Sequence, residues 1–426
     1  MSAEARRSAV SSASPAKDSV LRGPGAIAIA MGVMNVATYG FTMIAARLLG
    51  PQTYGALASL LATLLVIGVL QLGLQATAAR RISAEPQHVA QIEKTVLGVT
   101  YRASLLVGVI LLLLTPLVNR VLKLDSLGTA ALVAVAAVPL TMMGGQAGVL
   151  QGERRWWPLA VMYVASGVPR LLIGTGLILW RPDEFAAMVG ITVGLLPPVA
   201  LGWWALRRKR DDAVASEEHG FRMVLRETVH NSQALFAFFA LSNADIVVAR
   251  NVLPNHSAGL YAGGLILAKA VLFLPQFVVV VAFPSMSTAV ERSRALTRSL
   301  LLVGGLGLVA TLAAFVLKDV ALVFIGGDDY REIASRLWVF AILGTALSML
   351  QLLVYSVLAR QGKRSAYLVW AAFLVVVVVG YFVTTLNQLI TLVVATDLTL
   401  FVVLLGLSLY TLRKDGEVLA EQLTDR

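Results

Sequence analysis

The stretch YGALASLLATLLVIGVLQLGLQATAA, residues 54–79, runs 26 positions without a charged side chain and is closed by Arg80 and Arg81. As an α-helix it would extend about 39 Å, enough to cross the ~30 Å hydrocarbon core of a bilayer. Gln71 and Gln75 interrupt it at depth. Polar groups in the middle of such a segment point to contacts between helices or to an internal cavity, because neither amide is tolerated against lipid alone.

The same pattern recurs along the chain. Spans are expected at 25–47, 54–79, 97–118, 127–150, 158–180, 185–206, 224–250, 257–284, 299–317, 332–358, 366–385 and 388–412. Composition agrees: of 426 residues 58% are hydrophobic and 14% charged, with a mean hydropathy of +0.79. The fold class is therefore an all-α polytopic membrane protein of about 12 transmembrane helices. With no cysteine, disulfides and thiolate metal sites are excluded. His88, His219, His230 and His256 have no ligand spacing, so no metal site is expected. The formal charge of +11 lies in short loops between apolar spans, which is membrane topology and not nucleic-acid binding.

Lysine and arginine divide 24 to 8 between alternate sides, with Arg102, Arg170 and Lys269 inside spans. The positive-inside rule then places both termini in the cytoplasm of a multi-pass cell-membrane protein. Five regions follow: a disordered N-terminal tail (1–23), six spans (24–206), a charged cytoplasmic linker (207–223), six more spans (224–412) and a C-terminal tail (413–426). The two sets of spans echo each other. Arg47 is followed four residues later by Pro51, and Arg250 by Pro254. Gln151-Gly152 recurs as Gln361-Gly362. Six helices per half make a parallel repeat, two six-helix lobes related by a pseudo-two-fold axis along the membrane normal.

Arg170, after Pro169, and Lys269 fall near the centres of the fifth and eighth spans. A cation there needs a partner or a wet cavity, so both are candidates for gripping an anionic group. Arg47 and Arg250 end matched spans on the outer side and are further cationic candidates, each with an interfacial-anchor reading beside it. Asn35, Tyr39, Gln71, Gln75, Gln146, Asn243, Gln276 and Gln351 supply neutral polar groups for a cavity lining or for interhelical bonds. Asp245 and Asp397 are intramembrane acids, candidates for proton or Na⁺ coupling. Prolines 139, 169, 197, 198 and 275 interrupt helix ladders where bending is wanted. No phosphate loop, His/Glu metal motif or nucleophile elbow is present, so neither catalysis nor a bound cofactor is expected.

Several short motifs resemble those of polysaccharide-biosynthesis proteins. They are Arg47-Leu-Leu-Gly-Pro-Gln-Thr-Tyr54-Gly-Ala-Leu, Gln75-Ala-Thr-Ala-Ala-Arg80-Arg81, Asp245 to Arg250, Ala258-Gly-Leu-Tyr-Ala262, Leu274-Pro275-Gln276 and Phe283-Pro284. The similar family is the repeat-unit (Wzx-type) flippases of the multidrug/oligosaccharidyl-lipid/polysaccharide (MOP) exporter superfamily. The resemblance implies a MATE-like fold and alternating access. It also implies movement of a polyprenyl-pyrophosphate-linked glycan to the outer leaflet. Membrane lipids surround such a protein, and glycan polymerases or glycosyltransferases are its expected partners. Carried onto this chain, it makes Arg170 and Lys269 pyrophosphate ligands and puts Arg47 and Arg250 nearer the exit. A proton- or sodium-coupled multidrug exporter is the alternative, and a membrane scaffold for a polysaccharide assembly complex is a further one. The related drug antiporters use a carboxylate in the first lobe, and no clear intramembrane acid precedes Asp245.

Overall fold

The 54–79 stretch is the second limb of a long bent helix, α1 (Pro24–Ala84), in a computed structural model that describes residues 24–207, 220–272, 289–358 and 363–424. The N-terminal tail, most of the charged linker and Gln276 lie outside the described residues. The first two spans are joined without a loop. The bend is at Gly50, whose φ of 69° and ψ of 172° suit a residue without Cβ. Pro51 follows and cannot donate to the helix ladder, so the chain turns there instead of continuing straight.

After α1 come α2 (Val89–Leu113), α3 (Thr115–Leu122), α4 (Leu127–Gly152), α5 (Trp156–Trp180), α6 (Glu184–Gly194) and α7 (Leu196–Ala205). The second half has α8 (Phe221–Val252), α9 (Asn255–Leu272), α10 (Ala289–Val316), α11 (Lys318–Ile325), α12 (Leu337–Leu358), α13 (Lys363–Gly380) and α14 (Leu386–Thr424). No strand occurs among the described residues. Nine of the described helices are long and apolar enough to cross a membrane, with α1 counted once and 366–380 a shorter apolar helix. Counting both limbs of α1, and adding α9 and α13, every expected span has its helix.

Three spans differ from expectation. The third, expected at 97–118, is two helices, because Pro116 in the first turn of α3 removes a ladder donor and α2 stops at Leu113. The sixth is broken at Leu195, ahead of the Pro197-Pro198 pair at the start of α7. The twelfth extends past 412 as α14, which runs to Thr424.

Two features are consistent with the repeat. The eight-residue helices α3 and α11 begin at residues 115 and 318, 203 positions apart, the same offset as Arg47 and Arg250. The two proline breaks also pack on each other. A Cβ built on Gly55 would come within 3.0 Å of the Gly259 Cα, and one on Gly259 would meet the Pro51 carbonyl. Matched segments touching in this way is the contact expected beside a pseudo-two-fold axis.

α1 is the hub. It packs on α4 and α5 of its own half and on α8 and α9 of the other. Small residues permit the close crossings: Gly144 and Gly148 of α4 lie against the backbone at Gln71 and Gln75. Exposed positions carry large apolar side chains, such as Val36, Leu113, Trp180 and Phe382.

Candidate functional site

Two buried polar clusters occupy the helix bundle, one in each half. In the first half, Arg170 of α5 is brought in by the close approach of α6, where a Cβ on Gly194 would lie 2.7 Å from the Arg170 Cα. The guanidinium stacks over the ring of Phe41 at 5.4 Å, and its Nε is buried with no hydrogen-bond partner among the described residues. Tyr54 is within electrostatic range. Tyr39, two residues before Phe41 on the first limb of α1, donates its hydroxyl to the Ile266 carbonyl of α9 at 3.3 Å, crossing between halves. A half-buried guanidinium over an aromatic face, with a buried donor left over, is an arrangement that can accept an anion.

In the second half, Lys269 of α9 donates to Asn243 Oδ1 of α8 at 2.9 Å. Asn243 gives its own amide to the Phe239 carbonyl at 2.9 Å. Two residues on, Asp245 accepts the Tyr261 hydroxyl at 2.8 Å and the Ile246 backbone N–H at 2.8 Å. Lys269 is near enough to act on the charge of Asp245, and so is Asp397 of α14. Asp397 is 2% exposed, and its Oδ1 has no partner among the described residues. The cluster thus gathers two carboxyls, one ammonium, an amide and a phenol in a space walled by α8, α9 and α14. In the sequence Tyr261 stands only as part of the 258–262 motif, and its tie to Asp245 is not foreseen there, because it joins residues on different helices.

Among the described residues, no direct contact joins Arg170 to Lys269; the clusters are linked through α9 by the Tyr39–Ile266 bond. Arg47 is exposed near the Gly50 end of the first limb. Arg250 is 3% exposed and committed elsewhere. Its Nε donates to the Leu122 carbonyl at 3.2 Å and its Nη2 to the Lys123 carbonyl at 2.7 Å. Asn251 donates to the Val121 carbonyl at 2.7 Å, and Lys123 returns a bond to the Asn251 carbonyl at 3.0 Å. The carbonyls at the end of α3 have no partners within their own helix, and these side chains satisfy them. Arg250 is therefore a clasp between the halves at the end of the bundle that carries α3.

The neutral polar candidates disperse. Gln75 donates to Gln151 at 2.8 Å and to Tyr163 at 2.7 Å. Gln146 is fully buried against Gly202, with neither amide atom partnered. Gln71 crosses α4 at Gly144, Asn35 is half-buried, and Gln351 is 8% exposed on α12. At the opposite end, Arg80 and Arg81 of α1 both pair with Glu227 of α8, the second at 2.7 Å. This is a second tie between the halves.

The model of a family described as "Polysaccharide biosynthesis protein" matches residues 20–290, and the chain belongs to that family. Among curated proteins, none matches. Solved structures give the fold. An inward-facing multidrug-resistance MATE family transporter of the MOP superfamily aligns with a TM-score of 0.66 at 15% identity, over 90% of this chain and 96% of that one. An outward-facing structure of such a transporter gives 0.55 at 14% identity, over 93% and 95%. A MOP superfamily transporter from Pyrococcus furiosus, titled for the reverse polarity of its binding pocket, gives 0.57 at 14% identity, over 92% and 95%. This is a multi-pass membrane protein with the fold of MOP-superfamily transporters.

Proposed function

We propose that the chain is a flippase that carries a polyprenyl-pyrophosphate-linked glycan from the cytoplasmic to the outer leaflet by alternating access. The observation that supports it most directly is Arg170: a half-buried arginine inside a membrane bundle, its guanidinium stacked on Phe41 and its buried Nε without a partner among the described residues. Burying such a cation costs several kcal/mol unless an anion or water meets it. A pyrophosphate linkage supplies that anion and can engage two guanidinium nitrogens at once. The family match supports a role in polysaccharide assembly.

Asp245 and Asp397 are the groups through which a proton or Na⁺ gradient would act, and Lys269 would report their charge to the cavity. The clasp around Arg250 and the Glu227 ion pairs tie the halves at opposite ends, and alternating access would release them in turn. Arg250 serves this reading as a gate and not as a phosphate ligand.

The test is depletion of the protein, followed by extraction of polyprenyl-linked glycans and scoring of their leaflet with an impermeant oxidant. The expected result is accumulation on the cytoplasmic face, reversed by the wild-type chain and not by Arg170→Ala. Absence of accumulation together with new sensitivity to cationic drugs would replace this reading with the exporter.

A further inference from the structure

A groove of about 740 Å³ runs along the junction of the halves, away from both polar clusters. Its walls are Val69 and Leu70 of α1, Val229, Ser232, Gln233 and Phe236 of α8, and Ala366, Tyr367 and Trp370 of α13. The aromatic wall is ordered, with Phe236 and Trp370 ring centroids 5.9 Å apart. Phe236 and Tyr367 are exposed at 42% and 71%, so the groove is open at its side.

The lining residues of α8 belong to one stripe. Arg222, Arg226, Val229, Gln233 and Phe236 follow at intervals of four, three, four and three, so they share a helix face. Arg222 and Arg226 are exposed at its charged end. Arg80 stands on the face of α1 that carries Val69, three turns toward the same end, and is 60% exposed while paired with Glu227. Arg222 and Arg226 thus stand at the charged end of the slot's own face of α8, while Arg80 and Arg81 pair with Glu227 on another face of that helix. From Arg226 to Phe236 the slot is about 15 Å deep, half of a ~30 Å hydrocarbon core. Cations at headgroup level above one leaflet's depth of apolar wall complement a lipid with an anionic head and a hydrocarbon tail. One slot of this volume, lined on three sides, takes one chain; a phospholipid brings two.

We propose that this groove between α1, α8 and α13 is the entry dock of the lipid carrier, with the polyprenyl tail in the slot and its phosphates at Arg222 and Arg226. The proposal rests on the flippase reading. It places loading beside the junction tied by Arg80, Arg81 and Glu227.

The experiment uses the full chain in phosphatidylcholine nanodiscs and a diazirine-bearing polyprenyl phosphate, with cross-linked peptides identified by mass spectrometry. The expected result is labelling within 229–236 and 366–370, displaced by unlabelled polyprenyl pyrophosphate and not by phosphatidylglycerol. Val229→Trp, which fills the slot from a half-exposed position, should abolish that labelling while leaving the melting temperature unchanged. Arg222→Gln and Arg226→Gln should each weaken competition about fivefold. Equal displacement by phosphatidylglycerol would make the slot a site for bulk anionic lipid and overturn the proposal. Labelling confined to other helices, in cells that still need Arg170 for transport, would overturn the dock and leave the flippase standing. Labelling nowhere on the chain would remove both.

Discussion

Arg170 and Lys269 are each a lone cation near mid-depth of a half, yet they are held in opposite ways. Lys269 is answered from within the protein, by Asn243 at 2.9 Å and by the nearby Asp245. Arg170 has an aromatic face and, among the described residues, an unpartnered Nε and no carboxylate bonded to it. The pair shows that a shared pattern in the repeat does not mean a shared task. The second-half cation completes an internal charge set, whereas the first-half cation has no carboxylate partner among the described residues, as the proposed anion site requires.

Removing each cation sharpens that contrast. Lys269→Met leaves Asp245 uncompensated and should destabilise the protein by about 3 kcal/mol or more, read from thermal unfolding in detergent. Adding Asp245→Asn should recover most of this loss; additive losses would show that the two do not interact. Gly259→Ala drives a Cβ into the Pro51 carbonyl and should cost about 1–3 kcal/mol, whereas Gly32→Ala, with open space around it, should be silent. Arg250→Ala orphans two carbonyls of α3 and should cost about 1.5–3 kcal/mol, with faster proteolysis near residues 121–125. Arg170→Met should change stability by less than about 1 kcal/mol while abolishing leaflet transfer. A large stability loss there would mean that Arg170 is structural, and the contrast would collapse.

The membrane fold was legible because span length and hydropathy are properties of contiguous residues. The proline breaks were legible for the same reason, since Pro51 and Pro116 act on their own ladders. The division of α10 from α11 was not, because Leu317 carries no proline and the break shows only as the counterpart of α3. Of the site, Arg170, Lys269, Asp245 and Asp397 could be named from their depth alone. Their partners could not, because Tyr261–Asp245 and Lys269–Asn243 join residues on different helices. Arg250 shows the limit most plainly. Its position after a span and before Pro254 matches Arg47, but its buried bonds to Leu122 and Lys123 depend on α3, which is 127 or more positions away.

The absence of a loop at Gly50 has a mechanical consequence. The second limb of α1 is a rigid rod, seated near its outer end where Gly55 meets Gly259. From that seat to Arg80 is 25 residues, a lever arm of about 37 Å. A tilt of only ~10° about the seat would swing the Arg80 end by roughly 6 Å, far beyond the reach of an ion pair to Glu227. A small rotation at the glycine contact is thereby geared into a wide opening at the opposite face.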